Sequence, residues 1–279
     1  MLRLVTSIGE AWRVASQSID RLDARLLVEY VADCTHVDLL VRPTRALSTD
    51  QVARLAALVK RRSGGEPLAY LVNSAEFYTL EFQVSPAVLI PRPETELLVE
   101  LAIQRLQSLP APRIVDLGTG CGVLAVTLKC LYPAATVSAV DLSLAALEVA
   151  GRNAARHAAE VSFFAGDWYA PLGEARFDLI VANPPYVAYA DPHLQQNGLP
   201  FEPQMALSDG VAGGDGLACI RAIIGGAARH LLPDGWLLIE HGYNQSADVR
   251  NLLWSAGLSD VASWLDLSQV ERVSGACLR

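Results

Sequence analysis

Apolar positions recur at helical spacing through the first part of the chain. Within residues 22–31, leucine, tyrosine and valine side chains fall on one helical face, and residues 48–51 (STDQ) have the form of a capping box that begins another helix. Gly64, followed by a second glycine and then a proline, ends that helix. The pattern predicts a small helical domain over residues 1–75.

A short stretch of extended character follows. Residues 76–84 (EFYTLEFQV) carry recurring aromatic and apolar side chains, which predict a β-hairpin. Pro86, Pro91 and Pro93 then interrupt the chain. We interpret residues 76–92 as a hairpin linker between two domains.

Beyond residue 93, short apolar runs alternate with helical runs. The predicted strands are Arg113–Leu117, Thr136–Val140, Val161–Phe164, Phe177–Ala182, Trp236–Glu240, Val261–Leu267 and Val270–Leu278. The predicted helices are Val123–Leu131, Leu144–Arg156, Gly216–His230 and Ser246–Ala256. This alternation predicts an α/β fold over residues 93–279, with a doubly wound, mostly parallel sheet of seven strands. No helix separates the last two strands, so we expect them to pair as an antiparallel hairpin.

Composition is that of a folded protein with reduced thiols. Of the 279 residues, 52% are apolar and 19% are charged, which is enough to bury a large core. Residues 1–15 include Glu10 and Arg13 and do not resemble a signal peptide, and no apolar run approaches the roughly 20 residues of a membrane span. The five cysteines are scattered without a C-x-x-C pair, so we expect no zinc or other metal site and a cytoplasmic location.

The charge pattern disfavours nucleic acid as a partner. The net charge is −8, and it comes entirely from residues 85–279, because residues 1–84 contain ten basic and ten acidic side chains. The only basic cluster is residues 60–62 (KRR), which a solvated helix end explains.

The first candidate for chemistry is a glycine-rich loop that leaves the first predicted strand. Residues 116–122 (DLGTGCG) have the spacing G-x-G-x-G, which differs from the dinucleotide fingerprint G-x-G-x-x-G. Glycines at alternate positions let the backbone approach a ligand closely, and the spacing is typical of class I methyltransferases. A purely structural turn is the alternative. The candidate cofactor-binding residues here are Gly118, Thr119, Gly120, Cys121 and Gly122.

Two further candidates lie at the ends of the next two strands. Asp141 closes the second predicted strand, about 25 residues after the loop begins, where a carboxylate suits two ribose hydroxyls; capping of the next helix is the alternative. Asp167 and Trp168 follow the third strand. Asp167 has the chemistry to accept from an adenine amino group, and Trp168 supplies an apolar wall, although a tryptophan is often a core residue. Ligands of open α/β sheets bind at these strand ends, so we expect all of these side chains to meet.

The fourth candidate is the sequence Asn183-Pro184-Pro185-Tyr186, directly after an apolar strand. Neither proline has an N–H, and residues before proline are held in extended conformations. The Asn183 side-chain oxygen and the Pro184 carbonyl therefore suit acceptance from one planar NH₂ group. That geometry indicates an enzyme that alkylates an amide or exocyclic amine nitrogen, with a plain loop as the alternative.

These motifs, taken together, resemble the N5-glutamine methyltransferases of peptide chain release factors. The resemblance covers nearly the whole chain and extends to residues 61–67 (RRSGGEP), 90–96 (IPRPETE), 191–196 (DPHLQQ), 201–203 (FEP) and 240–242 (EHG). Asn-Pro-Pro-Tyr is shared with DNA adenine methyltransferases, whereas residues 90–96 with a helical N-terminal domain are more specific. Cys121 departs from the usual small residues of the loop, without touching the proposed chemistry.

The resemblance implies transfer of a methyl group from S-adenosylmethionine to the glutamine of a release-factor Gly-Gly-Gln motif, in support of translation termination. Asn183, Pro184 and Tyr186 would be catalytic, with Pro185 also contacting substrate and Asn183 also contacting the cofactor. The helical domain would dock the release factor, and we expect a monomer. Arg92 and Glu94 would reach the cofactor or the substrate, whereas His241 is expected to be structural.

Two other functions use the same features. A nucleic-acid adenine methyltransferase would place a flipped base against Asn183–Tyr186, but it is disfavoured by the acidic balance. A catalytically silent nucleotide-binding protein would bind the cofactor without turnover. A dehydrogenase fits least well, because the glycine spacing differs.

Overall fold

The computed structural model describes residues 6–279, so the first five residues of the predicted helical domain lie outside the described part. The chain divides into two compact units, residues 1–73 and 74–279. Nothing in the described range is a helix both long and apolar enough to cross a membrane.

The first unit is helical, as predicted. Its helices are α1 (Ile8–Ala15), α2 (Arg21–Ala32), α3 (His36–Val41), α4 (Thr49–Ser63) and α5 (Leu68–Val72). Helix α4 begins with the predicted capping box: the Ser48 side chain accepts from the Gln51 N–H, and the Gln51 side chain accepts from the Ser48 N–H. Buried residues of α1, α2 and α4, including Ile8, Leu27 and Leu55, form the core of this unit.

The second unit begins with the hairpin. Strands β1 (Ser74–Phe77) and β2 (Leu80–Gln83) pair antiparallel. The hairpin therefore begins two residues before the predicted range 76–84. Tyr78 and Thr79 both have positive φ (48° and 65°), which is the backbone that lets two residues join twisted strands. Hairpin residues Phe77 and Phe82 are fully buried in the core of this unit.

The seven-stranded sheet is confirmed. Its strands are β3 (Arg113–Leu117), β4 (Thr136–Asp141), β5 (Val161–Ala165), β6 (Phe177–Ala182), β7 (Leu231–Glu240), β8 (Ser259–Leu265) and β9 (Glu271–Cys277). They lie in the order β5-β4-β3-β6-β7-β9-β8; β3 to β7 are parallel, and β9 runs antiparallel to both of its neighbours. The predicted closing hairpin is therefore β8 and β9.

Helices cover both faces of the sheet. The helices of this unit are α6 (Glu96–Leu106), α7 (Val123–Leu131), α8 (Leu144–Arg156), α9 (Gln204–Leu207), α10 (Ala218–His230) and α11 (Ser246–Ser255). One core joins α6 and α7 to the sheet, and a second core on the other face joins α10 and α11 to it. The fold is doubly wound, as expected.

Helices α6 and α9 and the start of strand β7 differ from the prediction. Helix α6 is absent from it, because the prolines before residue 94 indicate a linker; its leucines and Val99 nevertheless pack on β6 and β7. Strand β7 begins at Leu231 instead of Trp236. Asp234, with φ 62°, and Gly235 lie at an irregularity in its pairing with β6, so residues 231–235 (LLPDG) do not show the alternation expected of a strand.

Candidate functional site

A cavity of about 870 Å³ lies at the carboxyl edge of the parallel strands. Its wall includes most of the predicted site residues: Gly118, Thr119, Gly120, Cys121, Asp141, Asp167, Trp168, Asn183 and Pro185. Of the predicted residues, Gly122, Pro184 and Tyr186 are not among the described side chains that line it. The loops that follow β3, β4, β5 and β6 meet here because parallel strands end at the same edge.

The glycine loop is held by Asp116, the fourth residue of β3. Its Oδ2 atom accepts from the Thr119 hydroxyl at 2.6 Å and from the Ala125 N–H at 3.2 Å. Burial raises the pKa of Asp116 to about 7, and nearby Asp141 adds to the rise. Asp116 therefore shapes the turn from inside the protein.

The three glycines of the loop have left-handed backbones with different surroundings. A Cβ at Gly120 (φ 56°) would have nothing within 4 Å, so its backbone faces open space in the cavity wall. A Cβ at Gly118 (φ 76°) would lie 3.3 Å from the Trp168 ring. A Cβ at Gly122 (φ 83°) would lie 3.1 Å from that of Ala150, so this glycine allows α7 and α8 to pack closely.

Cys121 is part of the loop but is buried and unreactive. It is 2% exposed, and burial raises the pKa of its thiol to about 12. Its carbonyl accepts from the Asn153 side chain at 2.8 Å. The backbone of Cys121 is therefore the part that shapes the loop.

Asp141 ends β4 and connects two backbone segments. Its Oδ2 atom accepts from the Gly120 N–H at 2.8 Å, and its Oδ1 atom accepts from the Ser143 N–H at 2.8 Å. The cap of α8 is Ser143, whose side chain accepts from the Ala146 N–H. Burial raises the pKa of Asp141. Each carboxylate oxygen has two acceptor sites, so both can still accept from a ligand.

Trp168 and Asp167 complete this side of the cavity. Trp168 has φ 44°, a rare backbone for a large residue, and its ring lies over Gly118. Asp167 is exposed at the rim. The structure brings the glycine loop, Asp141 and Trp168 into one wall.

The sequence Asn183–Tyr186 leaves β6, the strand that pairs with β3. The Asn183 Nδ2 atom donates to Thr95 Oγ1 at 3.0 Å. Within residues 6–279, no hydrogen bond reaches Asn183 Oδ1 or the Pro184 carbonyl. The Tyr186 carbonyl accepts from Gln245 Nε2 at 3.0 Å, which holds the loop in place.

The motifs 90–96 and 240–242 include Thr95 and Glu240, but the sequence assigns these two residues no role. The structure joins both of them to this loop. Glu240 ends β7 and is 1% exposed; it accepts from the Thr95 hydroxyl at 2.7 Å and from the Tyr186 hydroxyl at 3.2 Å. Burial raises the pKa of Glu240 to about 7, and burial also raises the pKa of Tyr186. The sequence signal that could identify Glu240 is an acidic residue at the end of the otherwise apolar run 236–240 (WLLIE).

Three other predicted residues have clear positions. Arg92 lines the cavity and pairs with buried Glu202 at 2.5 Å, whereas Glu94 is exposed and does not line it. His241 is fully buried, with one ring nitrogen 2.9 Å from the Gly242 carbonyl and the other 2.8 Å from Ser274 Oγ. It is a structural residue.

The cavity is acidic. Among residues 6–279, its wall contains five aspartates and one basic side chain, Arg92, which is already paired; the aspartates are Asp116, Asp141, Asp167, Asp191 and Asp209. In the described residues, no group of three or more histidine, cysteine, aspartate or glutamate side chains has the arrangement of a metal site, and all five cysteines are free. This charge favours a cationic ligand over a phosphate.

Two parts of the chain match known protein families. Residues 94–197 match the family described as "Methyltransferase small domain". Residues 11–72 match the "PrmC N-terminal domain". The second match covers most of the helical unit.

Relatives of nearly full length are called release factor glutamine methyltransferase. That of Xylella fastidiosa (strain Temecula1) is 47% identical over 265 residues, 94% of this chain and 95% of the relative. That of Burkholderia pseudomallei is 46% identical and covers 93% of each chain. That of Salmonella typhimurium is 42% identical and covers 91% of each.

Solved structures share the fold at low identity. A methyltransferase from Pyrococcus furiosus has a TM-score of 0.54 and 16% identity, and the match covers 82% of this chain and 98% of that one. The 16S rRNA N2 G1207 methyltransferase of T. thermophilus, solved with AdoMet and guanosine, has a TM-score of 0.53 and 23% identity, over 74% and 50%. Both support a class I methyltransferase fold for the second unit.

Proposed function

This chain belongs to the release factor glutamine methyltransferase family, and from that premise we propose that it methylates the side-chain amide nitrogen of a release-factor glutamine. The acceptor is the glutamine of the Gly-Gly-Gln motif, and the modification supports translation termination. The observation that carries the proposal is the pair of unoccupied acceptors, Asn183 Oδ1 and the Pro184 carbonyl, beside an acidic cavity.

The proposed methyl donor is S-adenosylmethionine, which supplies an electrophilic methyl group on a sulfonium. Its net positive charge fits a cavity lined by five aspartates and one paired arginine. The open backbone at Gly120 allows close approach, and Asp141 retains acceptor sites for ribose hydroxyls. Trp168 offers an apolar wall for the adenine ring.

The loop after β6 acts on the acceptor amide. An amide nitrogen is a weak nucleophile because its lone pair is delocalised into the carbonyl. When Asn183 and Pro184 accept hydrogen bonds from its two N–H groups, they orient the nitrogen and stabilise the positive charge that develops on it. Transfer would form the N–CH₃ bond as the S–CH₃ bond breaks, with S-adenosylhomocysteine as the leaving group, and one N–H proton would then be released to give a neutral N-methyl amide. Tyr186, the last residue of this loop, donates its hydroxyl proton to Glu240, and burial raises its pKa further above its usual value. Its ring would pack over the plane of the acceptor amide.

The partner in this proposal is a protein, and we place the reaction in the cytoplasm, where translation occurs. One glutamine in a short loop offers little area for recognition, so residues 1–75 are proposed to dock the release factor. Residues 76–92 would link this domain to the transferase domain, residues 93–279. We propose that the enzyme acts as a monomer.

Mass spectrometry of an unmodified release factor tests the function. After incubation with this protein and S-adenosylmethionine, we expect one added methyl group on the Gly-Gly-Gln glutamine. The variant Asn183→Ala should keep cofactor binding largely intact and react about 10²–10³ times more slowly.

A release factor with alanine in place of that glutamine is the control, and it should gain no methyl group. Absence of a methyl group on the unsubstituted factor, with cofactor binding demonstrated, would refute the proposed activity. Unchanged turnover by Asn183→Ala would remove only Asn183 from the mechanism.

A further inference from the structure

Asn183 is connected to a buried carboxylate through one threonine hydroxyl. Its Nδ2 atom lies 3.0 Å from Thr95 Oγ1, which lies 2.7 Å from Glu240 Oε2. Thr95 and Glu240 are each 1% exposed, so water does not compete for these bonds. The three residues come from the turn before α6 and from the ends of β6 and β7.

The number of available protons decides which atom donates in each of these two hydrogen bonds. A hydroxyl carries one proton, whereas an ionised carboxylate can only accept. When Glu240 is ionised, the Thr95 proton therefore goes to Glu240, and the Thr95 oxygen can only accept from Asn183. It follows that Asn183 must turn its NH₂ group toward Thr95 and its oxygen toward the cavity.

We propose that Thr95 and Glu240 are positioning residues that keep the Asn183 oxygen, and not its NH₂ group, directed at the acceptor amide. This rests on the proposed function, in which that oxygen accepts an N–H of the substrate glutamine. A flipped Asn183 would present donors to a group that is itself a donor, and the contact would be lost.

Glu240 also holds the other end of the loop. Its Oε1 atom accepts from the Tyr186 hydroxyl, so the two carboxylate oxygens hold the first and last residues of Asn183–Tyr186. Among the charged groups around it, Arg272 of β9 favours the ionised form and Glu94 disfavours it, while burial has the largest effect and raises the pKa of Glu240 to about 7. Ionisation of Glu240, and with it the direction of the Thr95 proton, changes near neutral pH.

The test compares threonine substitutions that differ only in the hydroxyl. Thr95→Val removes the hydroxyl at nearly constant shape, and we expect kcat to fall about tenfold while KM for the release factor and affinity for S-adenosylmethionine stay within about twofold. Thr95→Ser keeps the hydroxyl and should retain kcat within about threefold. If Thr95→Val does not fold, Thr95→Ala provides the same loss in a smaller side chain.

Thr127→Val is the matched control. Thr127 is also 1% exposed, lies in α7, and has a side-chain hydroxyl without a hydrogen-bond partner in the structure. Its replacement should leave kcat unchanged. Equal kcat in Thr95→Val and Thr127→Val would overturn the proposal.

A second readout does not depend on activity. With selective ¹⁵N-asparagine labelling, the Asn183 NH₂ hydrogens should exchange slowly with solvent in the wild type and in Thr95→Ser, and faster in Thr95→Val. Identical exchange in all three proteins would show that Thr95 does not hold the amide. The two proposals can also fail separately. If exchange is faster in Thr95→Val but the wild type does not methylate the release factor, the orientation of Asn183 is supported and the proposed function is rejected.

The pH profile separates positioning from a general loss of structure. Wild-type kcat should fall as pH drops through about 7, because protonation of Glu240 removes the acceptor that fixes the Thr95 proton. Thr95→Val, in which Asn183 is disconnected from Glu240, should show no matching fall. An equal fall in both proteins would mean that Glu240 does not act through Thr95.

Discussion

At the residue scale, Asp141 shows how one carboxylate can serve both the fold and a ligand. It accepts from the N–H groups of Gly120 and Ser143, so it ties the glycine loop to the start of α8. Asp141 also lines the cavity, and each of its oxygens has a further acceptor site. The ribose hypothesis for Asp141 is therefore compatible with its structural contacts, whereas the alternative role, capping of α8, belongs to Ser143.

We expect Asp141→Asn to weaken binding of S-adenosylmethionine about ten- to hundredfold. The substitution removes the negative charge and replaces one acceptor oxygen with an NH₂ group, which would face a backbone N–H donor. Isothermal titration calorimetry measures the change. Asp178→Asn is the control: Asp178 Oδ2 accepts from the Arg113 N–H at 2.7 Å at the far end of the strands. Equal affinity in the two variants would show that Asp141 does not bind the cofactor.

At the element scale, α10 has two consecutive glycines in different environments. Gly225 is exposed, and a Cβ added there would meet nothing within 4 Å. A Cβ at Gly226 would lie 2.5 Å from the Tyr169 ring. That ring is fixed, because it stacks on His230 at 4.5 Å and its hydroxyl donates to the Ile223 carbonyl.

We expect Gly225→Ala to stabilise the protein by about 0.5–1 kcal/mol, since glycine is unfavourable inside a helix. Gly226→Ala should lower the free energy of unfolding by about 1–3 kcal/mol through overpacking against Tyr169. Urea denaturation of both variants measures these changes. A stable Gly226→Ala protein would indicate that Tyr169 moves more easily than its contacts suggest.

At the scale of the whole molecule, charge bears on the choice of substrate. The chain carries a net −8, and the cavity wall has five aspartates against one paired arginine. A protein that binds nucleic acid neutralises phosphates with several basic side chains. The distribution of charge therefore supports a protein substrate.

We expect no retention of DNA or tRNA in a filter-binding assay at physiological salt, with or without S-adenosylmethionine. The release factor, tested by pull-down under the same conditions, is the positive control. If the wild type and Asn183→Ala retain nucleic acid equally, the nucleic acid binds a surface other than the Asn183–Tyr186 site. Methylation of an adenine by the wild type would favour the alternative function.

Much of the site follows from local sequence. The apolar runs place five parallel strands, and the glycine loop, Asp141, Trp168 and Asn183 each lie where such a run ends. Because parallel strands end at a common edge, these residues meet without further information. The helical N-terminal unit and the capping box of α4 are local in the same way.

Other features depend on contacts between distant parts of the chain. Thr95 and Glu240 are 145 residues apart, and their hydrogen bond forms only because α6 packs across β6 and β7. Helix α6 itself is hidden by the prolines before it, and the early start of β7 depends on pairing with β6. The sequence by itself determines the side-chain periodicity and the residues at which the strands end. The direction of the Asn183 amide depends on tertiary structure, because it is set by the buried acceptor that the fold brings to Thr95.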